Sequence, residues 1–291
     1  MAKSANYKYF FAAAFGLSAL LVLPFESTAQ NFIVLQGSDT MFHLNKRWAE
    51  EYSKINPNLK IEVSGGGSET GFDALMAGRI DIAAASRAMK ESELLAFEDK
   101  FGMRPVPFVV AMDGLGVYVH NTNPRSDLTV TDLAGILSGQ IRNWSEVGGA
   151  DRRIDIYSRD RHSGTRTYLK EQILQGKDFS DEMVEVPTTT SLIAAVSRNP
   201  NAIGYGGIFA YSEGAHVIRL KRQPEGEAVW PSVENVAAGT YPLSRPLHFY
   251  INPASMNKEV KAFVDWILTD GQDYVQMVGY YRAELAQVAG N

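Results

Sequence analysis

Short β-branched runs in this chain end repeatedly in turns of serine, threonine and glycine, and at least three of those turns open an apolar pattern with helical spacing. Phe32-Ile33-Val34-Leu35 reads as a buried strand and Gln36 to Thr40 as a turn. Met41, Leu44, Trp48, Tyr52 and Ile55 then recur three or four residues apart, which puts them on one face of a helix. Ser38 or Asp39 stands where a helix N-cap belongs, and Asn56-Pro57-Asn58 ends the pattern. Ile61-Glu62-Val63 is a second strand, followed by the glycine-rich loop Ser64 to Gly71 and a helix marked by Phe72, Leu75 and Met76. A third strand runs from Ile80 to Ala84 and leads into Ser86-Arg87. Much later, the strand Ile154 to Tyr157 leads into Ser158 to Thr165, and Tyr168, Leu169 and Ile173 begin another helix. Strands alternating with helices in this way predict an α/β architecture with mostly parallel strands. Sheets of that kind bind ligands beyond the carboxyl ends of their strands.

Two extended stretches, Pro107 to Val119 and Tyr241 to Ile251, read as crossings between domains. Two crossings imply a discontinuous first lobe, 30–115 plus 246–291, around a second lobe, 116–245. The C-terminal helix carrying Phe263, Trp266 and Ile267 is expected to pack on the first lobe. The full length of 291 residues exceeds what one core usually serves and suits two domains. Residues 1–29 read as a secretory signal: Lys3 and Lys8, an apolar run to Phe25, then Ser27-Thr28-Ala29 before the expected cut. The apolar run reaches the lower length limit of a spanning helix, so a retained anchor is the alternative. No cysteine is present, which excludes disulfides, thiolate zinc and a lipid-modified cysteine. A soluble, non-lipidated periplasmic protein is the simplest expectation. A net charge of -5 carries no basic stripe, so no nucleic-acid partner is expected.

Helix N-termini present unpaired N–H groups and about half a positive charge, so they bind anions without a lysine. The turns at Ser38–Thr40, Ser64–Gly71 and Ser163–Thr165 all have this character, and Arg87 and Arg159 add planar forks suited to a tetrahedral oxyanion. Each has an ordinary alternative when taken alone. Ser38-Asp39-Thr40 can simply cap a helix, Gly65-Gly66-Gly67 can be a flexible turn, Arg87 can pair with Glu91 or Glu93, and Arg159 can belong to a solvated cluster with Asp160 and Arg161. One anion pocket accounts for all four together. An enzyme is disfavoured: Asp160, His162 and Ser163 crowd one loop instead of converging from separate elements, no Gly-x-Ser-x-Gly or Gly-Lys-Ser/Thr motif occurs, and the five histidines lack ligand spacing. No cofactor and no metal are expected. Trp48, Trp144 and Trp266 are assigned to packing, and Tyr205 to the core in preference to the cleft.

In order along the chain, Gly37-Ser38-Asp39-Thr40-Met41, Gly65 to Gly71, Ala85-Ser86-Arg87 and Arg159 with Ser163-Gly164-Thr165 resemble the phosphate-binding proteins of bacterial phosphate ABC importers. Asp113 to Val117, Ile203 to Gly207 and Gly271-Gln272 resemble that family too, so the similarity runs from about residue 31 onward. The resemblance implies a two-lobed periplasmic-binding-protein-like fold of type II, with a two-strand hinge and inorganic phosphate in the cleft. It also implies an ABC importer's transmembrane subunits as partner; a monomer is expected. Carried over by motif, the contacts are Ser38, Thr40, Ser68, Ser86 and Arg87 from the first lobe, and Arg159, Ser163, Gly164 and Thr165 from the second. Longer members carry an aspartate where Arg87 stands, a carboxylate that accepts the proton of hydrogen phosphate. Here Asp39 is the replacement acceptor, with Asp160 behind it. Glu69 and His162 depart from glycine in the family pattern. Receptors for sulfate or molybdate, and a surface or adhesive protein of the same fold, are the competing readings.

Overall fold

A computed structural model describes residues 31–208 and 213–283. The expected signal segment, 1–29, lies outside the described residues.

The N-terminal part begins with strand β1 (Asn31–Gly37), helix α1 (Phe42–Ile55), β2 (Leu59–Ser64), α2 (Ser68–Met76), β3 (Ile82–Ala85) and α3 (Glu91–Phe101). β1 lies between β2 and β3 and runs parallel to both, with Gln36 opposite Ser64 and Gly37 opposite Ala84. That register aligns three carboxyl ends, so the turns that follow them leave the sheet side by side. β3 starts at Ile82, two residues later than its apolar run predicts. Asp81 explains the delay, because its carboxylate accepts the Val34 amide at 2.8 Å in place of a further strand contact. In α1, Leu44, Trp48 and Tyr52 are buried as their spacing predicts, while Ile55 is exposed. The helix is capped at Met41 without a side-chain hydrogen bond, so neither Ser38 nor Asp39 serves as its cap.

β4 (Val106–His120) is one unbroken strand. Its first half pairs antiparallel with β10 (Ser244–Ile251), which in turn pairs antiparallel with β3. Its second half pairs antiparallel with β8 (Ala202–Gly207) and β9 (Ala215–Lys221). Between them come β5 (Asp127–Thr129), α4 (Val130–Leu137), β6 (Asp155–Arg159), α5 (Gly164–Gln172), β7 (Val184–Val186) and α6 (Thr189–Val196). β6 runs parallel to β7 and β8, and β5 parallel to β9. Helix α7 (Val233–Ala237) precedes β10, and α8 (Lys258–Ile267) follows it. The mixed sheet is therefore parallel towards its ends and antiparallel where β4 and β10 cross.

Two groups of apolar side chains are divided along β4. Val110 and Ala111 join Ile33, Leu35, Trp48, Phe249, Phe263 and Ile267, so α8 packs on the N-terminal strands. Leu115, Val117 and Val119 join Leu133, Ile136, Trp144, Ile156 and Leu169. The result is a two-lobed mixed α/β fold with flanking helices. Among the described residues no helix is long and apolar enough to cross a membrane.

His248 sits in β10, 8% exposed, with a buried Nδ1 that has no hydrogen-bond partner. Burial lowers its pKa from 6.5 to about 4. The unfolded chain takes up the proton near pH 6.5 and the folded chain only near pH 4, so acid favours unfolding across that window. The expected loss is about 3 kcal/mol, at about 1.4 kcal/mol per pKa unit. Urea unfolding of wild type and His248→Phe at pH 7 and pH 4.5 should show a smaller acid loss in the variant.

Candidate functional site

The aligned ends of β1, β2 and β3 deliver Ser38 to Thr40, the loop before Ser68, and Ser86 to one place. Ser38 N donates to Ala84 O at 2.8 Å, and Gly67 N donates to Gly37 O at 2.9 Å, which ties the first and second turns to the sheet. Ser68 Oγ accepts the Ser86 amide at 3.1 Å and lies 3.4 Å from Ser86 Oγ. Ser38, Thr40, Ser68 and Ser86 are all essentially inaccessible to solvent. Four hydroxyl groups on one buried surface require partners.

From the other lobe, the turn after β6 brings Ser163, Gly164 and Thr165, all buried. Ser163 caps α5 by accepting the Arg166 amide at 3.3 Å. Gly164 lies directly against the first lobe: a Cβ there would stand 2.1 Å from Ser68 Oγ and 2.8 Å from Ser86 Oγ. Thr165 Oγ1 lies 2.9 Å from Thr40 Oγ1. Helices α2 and α5 therefore meet at their N-termini, where each carries partial positive charge. The backbone between them is equally close, since Glu69 N donates to His162 O at 3.3 Å.

The arginines divide. Arg159, 1% exposed, donates from Nη1 to Asp39 Oδ2 at 3.2 Å and Thr189 Oγ1 at 3.0 Å, and from Nη2 to Pro187 O at 2.8 Å. Asp39 Oδ2 also accepts the Thr189 amide at 2.8 Å. Asp39 thus reaches the start of α6 through Oδ2 instead of capping its own helix, and its Oδ1 lies beside Gly65. Arg87 is buried as well, but its guanidinium is held by Glu93 at 2.6 and 2.7 Å and lies over the Phe72 ring. Burial is the strongest influence on the Glu93 carboxyl and would raise it; the hydrogen bonds from Arg87 and the Lys90 amide, with the positive charges of both residues, together outweigh it and hold the group below its usual range. The charged end of Arg87 is committed to Glu93, and what it brings to the cluster is its place next to Ser86.

Glu69 and His162 face one another across the cleft at 2.9 Å, both partly exposed. Asp160 Oδ1 accepts the His162 amide at 2.9 Å, which makes it a turn-former within the loop. Tyr205 is a core residue whose hydroxyl is also structural: it lies 2.6 Å from Ser158 Oγ and accepts the Arg159 amide at 3.2 Å. Sequence reasoning missed Thr189 and Arg245. Arg245 Nη2 donates to Thr165 Oγ1 at 2.8 Å while its fork pairs with buried Asp113. Burial pushes the Asp113 carboxyl up, and Arg245 opposes that shift. The sequence signals for the pair were the Asp113 to Val117 stretch of the family pattern and an arginine just before the apolar run Leu247-His248-Phe249-Tyr250-Ile251, and neither points to the other.

Opposed helix N-termini, buried hydroxyls and carboxylate-paired arginines therefore meet where the turns after β1, β2, β3 and β6 converge, the arrangement of a two-lobed solute-binding fold. The chain belongs to the PBP superfamily, whose domain pattern matches residues 25–271. It is 34% identical over 261 residues to the phosphate-binding protein PstS of Pseudomonas aeruginosa, covering 84% of this chain and 80% of that protein. It is also similar to a protein from Clostridium perfringens assigned as a phosphate ABC transporter substrate-binding protein and solved with bound phosphate. The TM-score there is 0.78 at 28% identity, covering 87% of this chain and 99% of that one. An ABC-type phosphate transport receptor from Vibrio cholerae superposes with a TM-score of 0.70 at 28% identity, covering 86% and 99%.

The contact at Gly164 leaves no room for a methyl group. Gly164→Ala should lower stability by about 1–3 kcal/mol, as overpacking does, read from the urea midpoint; an unchanged midpoint would show that α5 does not seat against Ser68.

Proposed function

We propose that this protein captures inorganic phosphate between its lobes and presents it to the transmembrane subunits of an ABC importer. The observation that carries the reading is the contact between the N-termini of α2 and α5, where Gly164 touches the Ser68 and Ser86 hydroxyls. Two positive helix ends at contact distance are stabilised by an anion, and the surrounding donors suit a tetrahedral oxyanion. The names and bound phosphate of similar proteins support the choice of phosphate. The binding set is Ser38, Thr40, Ser68, Ser86, Ser163, Gly164, Thr165 and Arg159, with Asp39 as acceptor and Arg87 placed beside Ser86 by its ion pair. No bond-breaking step is assigned to these residues.

The lobes are taken as 30–115 with 246–291, and 116–245, closing about β4 and β10. Closure would bring the Arg159 guanidinium, Thr165 and the α5 N-terminus onto a ligand held by the first lobe. Secretion to the periplasm as a soluble, unlipidated protein follows from the expected signal segment and the absence of cysteine.

Asp39 supplies selectivity. Its Oδ2 is occupied by Arg159 and Thr189, so Oδ1 is the oxygen that can accept the proton of hydrogen phosphate, which sulfate cannot offer. Calorimetry with phosphate, arsenate, sulfate and molybdate tests the reading; sulfate binding as tightly as phosphate would refute the selectivity. Arg159→Ala should weaken phosphate binding at least tenfold, in line with about 1.5–3 kcal/mol for a charge-assisted bond. Asp39→Asn should narrow the gap between phosphate and sulfate.

A further inference from the structure

Arg245 belongs to none of the turns that form the cleft. It sits on β10 at the crossing of the lobes, 2% exposed, opposite Asp113 of β4, which is fully buried. Nε and Nη2 donate to Asp113 Oδ2 at 3.0 and 2.8 Å. Nη2 also reaches past the carboxylate to Thr165 Oγ1 at 2.8 Å, and the guanidinium lies 5.1 Å from the centre of the Tyr168 ring. Thr165 Oγ1 is in turn 2.9 Å from Thr40 Oγ1, and the Thr40 carbonyl accepts the Tyr280 hydroxyl. A single connected line therefore runs from the crossing strands through α5 to the first turn of the opposite lobe.

We propose that Arg245 is a positioning residue that fixes the Thr165–Thr40 hydroxyl couple so that it offers one donor to the anion site; the inference rests on the phosphate reading above. Proton counting leads to it. A guanidinium only donates and does not lose its proton, so Thr165 Oγ1 must accept from Arg245. The two threonine hydroxyls have two protons between them, and their mutual bond uses one. The other proton, on Thr40 or on Thr165, cannot go to Arg245 and is left for another acceptor. Whichever hydroxyl donates in the mutual bond, the couple offers one net donor to an anion. The positive charge behind Thr165 polarises its O–H and strengthens that donation. A buried Arg–Asp pair is weak evidence for stability by itself. The reach of Nη2 beyond its carboxylate to a residue of the binding turn gives this pair a role at the site.

Arg245→Lys keeps a positive charge against Asp113 but removes the second nitrogen that spans to Thr165. Inorganic phosphate is titrated by calorimetry into wild type, Arg245→Lys, Thr165→Val and the double variant, with melting curves for each. The expected result is about a tenfold loss for Arg245→Lys in a folded protein, and a double variant no weaker than Thr165→Val alone, because the arginine acts through the hydroxyl. Losses that multiply would indicate an independent structural role, and wild-type affinity in Arg245→Lys would show that the fork is not needed; either overturns the proposal. If Arg245→Lys does not fold, Asp113→Asn/Arg245→Gln, which leaves no unpaired charge, takes its place in the same cycle with the same outcomes. Wild type that takes up no phosphate would instead remove the phosphate reading itself, before the variants are compared.

Discussion

The start of α5 rests on the start of α2, and most of the molecule can be understood from that contact. A helix N-terminus carries unpaired amides and partial positive charge, so two of them pressed together repel unless negative charge lies nearby. The α2 end carries its own acid, Glu69, which pairs with His162 of the facing loop, and the Asp39 carboxylate accepts from Arg159 and from the Thr189 amide at the start of a third helix. A glycine at 164 is what permits the approach, because any side chain there would occupy the space of the Ser68 hydroxyl. A tetrahedral anion is the ligand we propose for this junction.

The three buried arginines that border this region are each matched by a carboxylate: Arg87 by Glu93, Arg159 by Asp39 and Arg245 by Asp113. Their charges are compensated before any ligand arrives. The local environment is then dominated by oriented dipoles, hydroxyls and amides, with the guanidinium forks fixing geometry. Taking one member of such a pair away leaves its partner buried and unpaired, which is far more destabilising than the pair itself is stabilising. The buried arginines are thus held by their partners as firmly as by the strands that carry them.

Much of the grouping of the candidate site residues was readable in the sequence, for a physical reason. The parallel strands β1, β2 and β3 end in register, so residues just after each strand share a location. Ser38, Thr40, Ser68 and Ser86 could be grouped from their position after a strand alone, and Ser163 to Thr165 from the same rule in the second lobe. Long-range side-chain choices were not readable. Asp39 looks like a cap for α1, yet it serves α6, 150 residues away. For Arg87 the sequence leaves two readings, an anion ligand beside a serine or an ion pair with Glu91 or Glu93, and only the fold selects Glu93. Glu69 and His162 looked like intrusions into a glycine pattern, and they pair with each other across the cleft. Arg245 sits in an apolar strand, and nothing near it in sequence discloses Asp113 or Thr165.

Local order decided the elements: period-two and helical spacing, hydroxyl-rich turns after strands, and glycines where backbone must approach backbone are properties of short segments. These dictated the α/β class, the crossings at β4 and β10, and the hydroxyl-bearing turns. Which arginine faces which carboxylate was decided only by the tertiary structure. A guanidinium reaches several ångströms from its own strand, and burial forces it to the nearest available acceptor, wherever the packed chain has brought one.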